Sequence, residues 1–439
     1  MELSNKTSVN SFYTIASGLF QYNAKEIIES KLWSQYFNWR NRINGGDYKS
    51  TFDYLNHSYY DSYLNNIFPE IRFDEDQLHS LDSHVLNHLT HKKCLDASYL
   101  GDLSVKAGRE SSIAFKIEYI DLYLFPHDIG IFNIKISLAN EKAINLGDVS
   151  SLLNQVRNLN AEISNGKQQP MLFKELIYQE VLAPLKVKDN WTIFNPQLKL
   201  YTLVDLKAIE SQEQLDEVLY DIGNMSPIGS AGGNTSFTPS EAYYSEQVEN
   251  NRISVFRNWT ALALYDTFTR VSINFEDQFS SWENDYFNLY IHSIYSKFFM
   301  YLTNSELSDV TKVDKRTEVI RDRFIEFVND YQHTQVSYKF LPDLIRDKLL
   351  YALGVQSEIE RMDVKIQRIN EQFQEKREKS FNTALVVITL LSVFSVIYDL
   401  SEWSVRMGIE RSWVYPIPSI ISGLLIFGLI FLIFRIKRK

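Results

Sequence analysis

Besides Thr383, five polar side chains interrupt an otherwise apolar run, FNTALVVITLLSVFSVIYDL (Phe381–Leu400): Asn382, Thr389, Ser392, Ser395 and Asp399. Asn382, Thr389, Ser392 and Asp399 are 7, 3 and 7 residues apart, which places them near one another on a single helix face. Ser395 lies beside this stripe, whereas Thr383 falls off it. A row of hydroxyls ending in a carboxylate suits a water-filled pathway, because ionisable groups at membrane depth face cavities or partners rather than lipid. Any one of these hydroxyls would be ordinary, since Ser and Thr often bond to their own helix backbone or to a neighbouring helix. As a set they are the candidate pore-lining residues.

A second pattern is His84, His88 and His91 in DSHVLNHLTHKKC, spaced i, i+4 and i+7 with Cys94 three further on. On a helix this puts four metal-binding side chains on one face, although a straight helix usually brings only two of them to one ion. Leu78, Leu81, Val85 and Leu89 would then form the apolar face, so the plainer account is a solvated or interfacial histidine row. The three histidines are weak metal candidates. Asp74, Glu75 and Asp76 lack the spacing and the glycine of an EF-hand loop. The loop SPIGSAGGNTSFTPS (226–240) has no Gly-Lys-Ser/Thr and is expected to be a flexible connector rather than a phosphate cradle. No catalytic signature is present; the chain is expected not to be an enzyme.

The polar stripe needs a helix and a membrane to position it. Phe381 to Tyr398 holds 18 uncharged residues and Val414 to Phe434 holds 21, and about 20 suffice to span the hydrocarbon core. Trp403, Trp413 and Tyr415 lie beside the spans as interfacial anchors. Lys376, Arg377 and Lys379 precede the first span, and Arg435, Lys437, Arg438 and Lys439 follow the second. Positive flanks mark the cytoplasmic side, so a multi-pass inner-membrane protein with both termini in the cytoplasm is expected.

Upstream, Ile359, Met362, Ile366, Ile369 and Phe373 are spaced 3, 4, 3 and 4, a heptad seam. With Pro342 in the first turn, a helix from about 342 to 400 is expected to run unbroken as a stalk, with Gly354 as a weak point. Extended, the seam meets Ser380, Val387 and Phe394, with Thr383, Leu390 and Ile397 as its second row. The polar stripe occupies other positions, so packing and a wet face can coexist. One chain supplies one stripe; a conduit therefore requires a homo-oligomer around an axis.

The remaining residues read as an α+β body. SIAFKIEYIDLYLF (112–125) and IGIFNIKISLAN (129–140), separated by Pro126-His127-Asp128, suggest a β-hairpin. LGDVSSLLNQVRNL suggests a helix capped by Asp148, and QLKLYTLVDLK a further strand. RISVFRNWTALALYDTF contains another strand-like run. The fold expected is an α+β cytoplasmic domain followed by a long stalk helix and two C-terminal transmembrane helices. Its divisions are a mainly helical part at 1–110, an α+β domain at 111–280 and a helical region with the stalk at 281–379. A first span at 380–400, an external loop at 401–413, a second span at 414–434 and a basic tail at 435–439 complete it.

The net charge is −10, yet residues 341–439 carry 14 basic and 11 acidic side chains, leaving 31 against 44 in the rest. An acidic body attracts cations and disfavours nucleic acid, whose phosphates want a basic surface. With Cys94 alone, no intramolecular disulfide forms, as expected of a reducing compartment. The N-terminal MELSNKTSVNSFYTIASG has no compact apolar core, so a secretory leader is not expected.

The order of an acidic α/β body, a long helix entering the first span, a short loop, a second span and a basic tail resembles the CorA-like family of divalent-cation transporters. That resemblance implies a pentamer whose first span lines the pore and ends in Gly-Met-Asn, which holds a hydrated divalent cation such as Mg2+. Here the matching place reads Tyr398-Asp399-Leu400, and Met407-Gly408 stands in the loop without the Asn. Asp399 could instead give a ring of carboxylates that favours cations, cap the helix end, or pair with Arg406 or Arg411. Divergent members lacking the tripeptide also occur as antiviral effectors of type III CRISPR systems. There a nucleotide second messenger, such as an S-adenosylmethionine–AMP conjugate, acts on the cytoplasmic domain. Two alternatives stand beside these: a membrane-anchored enzyme degrading a signalling nucleotide, and a non-conducting oligomeric tether.

Overall fold

The computed structural model describes residues 6–35, 55–67, 80–81, 84, 86–95, 100–106, 112–139, 144–165, 170–233, 235–275, 281–308, 314–407, 420, 423–424 and 428. They divide into two compact units: Met1–Thr311 with Glu318–Met362, and Lys312–Thr317 with Asp363–Lys439.

The first unit is built on a mixed sheet. Its strands are β1 (Val9–Gln21), β2 (Trp33–Gln35), β3 (Asn87–His91), β4 (Leu103–Lys106), β5 (Ser112–Phe125) and β6 (Ile129–Leu138). They continue with β7 (Glu162–Ser164), β8 (Met171–Leu172), β9 (Lys199–Leu206), β10 (Arg252–Ile253), β11 (Trp259–Ala263) and β12 (Thr267–Ile273). Across the sheet the order is β10-β11-β12-β9-β1-β6-β5-β4-β7-β8, with β3 pairing to β5 and β2 to β3. β9 and β12 run parallel, whereas β1 runs antiparallel to both its neighbours. The helices are α1 (Ala24–Ser30), α2 (Asp61–Ile67), α3 (Leu146–Val156), α4 (Phe173–Ile177) and α5 (Gln212–Asn224). After them come α6 (Glu241–Asn251), α7 (Phe287–Ser308), α8 (Lys315–Tyr331), α9 (Phe340–Ala352) and α10 (Val355–Arg406).

The unit is thus α+β, followed by a long C-terminal helix. The expected hairpin is β5 and β6, turning through His127 and Asp128, both with left-handed φ. The other expected strands are β9 and β10 to β12. Residues 1–110 differ from the expectation of a mainly helical part, for β1 is the centre of the sheet. The reason is burial on both faces. From Phe12 to Phe20 every residue is buried, and a strand buried on both sides shows no alternation to separate it from a helix. Helix α3 is capped by Asn145, not Asp148. The Asn145 side chain accepts from the Asp148 backbone N–H at 2.9 Å and donates to its carboxylate at 2.6 Å.

On one face of the sheet, Phe12, Ala16, Phe20, Phe132, Ile134 and Val204 join the core of α3, α4 and α5. Gly18 pairs across the strands with Phe132, and Gly130 with Phe20. A Cβ at either glycine would strike the opposing ring; each ring fills the space its partner leaves. The other face is covered by a π-helical turn at Trp282–Tyr286 and by α7. Phe125 stacks on Tyr295 at 4.1 Å between ring centroids, and Tyr201 packs against Trp282 at 4.8 Å. This interface also buries charge: the Lys135 ammonium lies 3.0 Å from Glu118 and 2.9 Å from Glu283. Burying that cation without partners would be costly, and the two carboxylates offset the loss of water.

The loop after α5 is not a free connector. Asp221, fully buried, accepts from the backbone N–H groups of Gly229 (2.7 Å), Ser230 (3.1 Å) and Ala231 (2.9 Å). Ile228, Gly229 and Ser230 are buried with it.

The expected unbroken stalk is interrupted once. Leu353 closes α9, Gly354 takes φ +66°, and α10 starts at Val355. That is the left-handed cap at which a helix ends at low cost only on glycine. Pro342 does lie in the first turn of α9, and α10 runs on for 52 residues, roughly 78 Å at 1.5 Å per residue. Ser401–Arg406, expected in an external loop, continue it. The second span at 414–434 and the tail at 435–439 lie outside the described residues, apart from Ile420, Gly423, Leu424 and Gly428.

Candidate pore helix and ligand pocket

Within α10, an 18-residue window reaches mean hydropathy 2.1 with none of it buried. It is the one helix among the described residues long and apolar enough to cross a membrane. Phe381, Leu385, Val387, Ile388, Leu391, Val396, Tyr398 and Trp403 are all exposed. Covering such side chains stabilises by about 1.5–3 kcal/mol apiece, so this length of helix gains from any apolar surface that covers it.

All five stripe residues, Asn382, Thr389, Ser392, Ser395 and Asp399, are exposed. The half-covered positions here are Val386, Leu390, Val393, Phe394, Ile397, Ser401, Ser404 and Val405. At about 3.6 residues per turn these centre roughly a third of a turn from the stripe, and Val386 and Val393 lie beside Asn382 and Thr389. Leu390, Phe394 and Ile397 belong to the extended heptad rows, whereas Ser380, Thr383 and Val387 of the same rows are exposed. The stripe hydroxyls bond to their own helix: Thr389 donates to the Leu385 carbonyl at 2.8 Å and Ser392 to Ile388 at 3.0 Å. Their hydrogens are thereby turned inward, and the oxygen lone pairs are left for a cation or water. Arg406 pairs with Glu402 at 2.7 Å. Arg411 lies outside the described residues. Upstream, Ile359, Met362 and Ile366 of the seam are buried, and Ile369 and Phe373 are half-exposed.

The histidine row does not form. His88 and His91 are on strand β3, three residues apart, so they point to opposite faces. His88 meets Asp121 at 3.1 Å, while His91 is buried against Trp33 with ring centroids 5.0 Å apart. His84 stands outside the strand and is exposed, and Cys94 belongs to a short 3-10 turn at Lys92–Leu95. Among the described residues no group of three His, Cys, Asp or Glu could hold a metal ion. The spacing that fits a helix carries no such meaning on a strand.

A pocket of about 460 Å³ opens at the start of β9 and β12 in the first unit. Its walls include Phe194, Lys199, Tyr265, Lys297, Tyr301 and Leu353. Lys199, the first residue of β9, donates to the Tyr265 carbonyl at 3.0 Å and to Asp266 at 2.6 Å. Its ammonium lies 3.9 Å from the Tyr265 ring centroid, and that of Lys297 lies 5.5 Å from it. Burial holds the Lys199 pKa below the usual lysine value against the pull of Asp266, with Lys297 and Arg157 adding to the depression. Lys297, on α7, bonds to Glu358 in the first turn of α10 at 2.6 Å. Phe194 and Phe298 meet edge to face at 5.2 Å, and Tyr265 and Tyr301 remain half-exposed at the mouth. No local motif announces this site, because its residues come from segments as far apart as Leu19 and Leu353.

No protein-family model matches the chain, and no curated protein matches it either.

Proposed function

We propose that the chain is an oligomeric CorA-like membrane channel or transporter for cations, gated by its large α+β unit on the cytoplasmic side. The observation that carries this reading is the division of α10. One side is partly covered, and another presents Asn382, Thr389, Ser392 and Asp399 exposed, with the Thr389 and Ser392 hydrogens turned to their own backbone. Copies set side by side, with the stripe turned inward and the partly covered side turned away, would enclose the polar groups around an axis. Oxygen lone pairs and a carboxylate in such a ring favour cations over anions.

The large unit serves as the sensor, and its pocket beside Leu353 supplies a place for a small ligand. A nucleotide second messenger, as in the CRISPR-associated branch, is compatible with a pocket that offers rings and ammonium groups together. Gating requires such a ligand to bind the open and closed states unequally.

The test is cation flux into vesicles carrying the full chain. Asp399→Asn is expected to lower it about tenfold, equal to about 1.4 kcal/mol on the barrier, and Ser392→Leu to block it, both with the oligomer retained. Unchanged flux in both variants would favour the tether.

A further inference from the structure

We infer that the pocket at Lys199, Tyr265 and Lys297 is an effector site for a small molecule bearing a flat ring and an anionic group, and that this ligand acts by drawing Lys297 away from Glu358. The inference deepens the gated-channel reading and rests on it for its physiological meaning.

Three observations combine. The volume, about 460 Å³, is within the range of small-ligand sites and well beyond a bare inorganic anion. The mouth carries Tyr265 and Tyr301, each more than half exposed at 54% and 51%; Lys199 lies over one part of the Tyr265 ring and Phe298 stacks on Tyr301, and the exposed remainder of each can meet a ring. Both ammonium groups approach the same Tyr265 ring, so an anion entering between them gains from two positive charges.

The two lysines are not equivalent. Lys199 is held twice, by the Tyr265 carbonyl and by Asp266, both in the loop before β12. Lys297 is held by Glu358, whose side chain is 34% exposed. With Lys297 22% exposed the pair is only half-buried, and water reaches Glu358, so a competing anion of higher charge can displace it.

The displaced carboxylate matters because of where it is. Glu358 is four residues past Gly354, where the backbone changes direction at φ +66° and α10 begins. Leu353, the last residue before that break, is itself a wall of the pocket. The Lys297–Glu358 pair therefore fastens the first turn of α10 to α7, and the ligand loosens that turn at its most adaptable residue. Removing Glu358's charge should mimic the ligand in the helix and also help the ligand bind, which no purely structural role would do.

The experiment uses the full chain in lipid nanodiscs with phenyl phosphate as the probe, and phenol and inorganic phosphate each alone as controls, followed by ligand-observed NMR. Phenyl phosphate is expected to bind more tightly than either control. Tyr265→Ala, at a half-exposed position, and Lys297→Ala should each weaken it, while Glu358→Gln should tighten it about two- to fivefold, the factor set by an ion pair that water reaches. Amide hydrogen exchange over 354–362 should quicken on adding the probe and in Glu358→Gln without it. The inference is overturned if Glu358→Gln leaves binding unchanged or weaker, if inorganic phosphate binds as well as phenyl phosphate, or if exchange over 354–362 ignores the probe. Neither readout depends on ion flux. Binding and loosening without conduction would sink the channel and keep the effector site; conduction without them would do the reverse.

Discussion

The sheet body and the distal part of α10 solve opposite problems with similar side chains. In the body, β1 sends rings and aliphatic groups to both faces and finds them covered on both. Over Phe381 to Trp403, comparable side chains stand exposed along nearly the whole helix. Polar groups differ as sharply: Asp221 and Lys135 are buried and each is surrounded by partners, whereas Thr389 and Ser392 turn to their own backbone. The body completes its interactions within one chain. The helix defers them to something outside it.

That contrast can be tested from the body's side. Asp221→Ala leaves the N–H groups of Gly229, Ser230 and Ala231 without their acceptor. Each buried donor stranded in this way costs about 1–3 kcal/mol, so a loss of roughly 3–5 kcal/mol in unfolding free energy is expected by urea titration of the detergent-solubilised chain. A loss below about 1 kcal/mol would mean that the loop is not the anchored element described above.

A smaller effect appears on acidification. Burial pushes His91, His127 and His333 down to about 4, with Lys93, Arg323 and Arg346 respectively adding to the depression. In each case the folded value lies below the unfolded value of about 6.5. The unfolded chain therefore binds more protons between those values, and stability falls as pH drops from about 6.5 towards 4. Each histidine should cost about 1 kcal/mol between pH 7 and pH 5.5. Asp221, which burial pushes up to about 7 against its three backbone donors, has the opposite sign. Comparing wild type with His333→Gln isolates one share: the difference in stability between pH 7 and 5.5 should shrink by about 1 kcal/mol.

The smallest effect belongs to the junction between the regions. A Cβ at Gly354 meets only the Ser357 hydroxyl, at 3.9 Å, so Gly354→Ala adds no clash. It does force alanine into the left-handed region, at about 1 kcal/mol. A loss of that size in unfolding free energy, with assembly intact, is expected from urea titration. A shift of several kcal/mol would show that the break is more than a turn.

What was legible in the sequence follows the same division. The β5–β6 hairpin could be read because Pro126, His127 and Asp128 punctuate it, and α3 because its apolar residues recur at helical spacing. The length and apolar character of α10 could be read because no proline interrupts it and its apolar residues stand in one exposed run. β1 could not, since a strand buried on both sides has no polar face to reveal its period. The histidine spacing misled because i, i+4, i+7 has meaning only once the backbone is known to be helical. The pocket was invisible because Lys199, Tyr265 and Lys297 meet only through the parallel pairing of β9 with β12 and the packing of α7.

The central place of β1 also bears on how the chain is made. Gln21 pairs with Ile129 and Val9 with Leu206, so β1 leaves the ribosome long before either neighbour exists. At about 5–20 residues per second the wait for β9 is roughly 10–40 s. Throughout it a thirteen-residue apolar segment is without its partners, a state that favours chaperone binding and aggregation over early folding. Since β9 and β12 precede the apolar part of α10 in the chain, the sheet can close before that apolar stretch is released. Translation speed over residues 21–206 is then a lever on yield that leaves every contact of the finished protein unchanged.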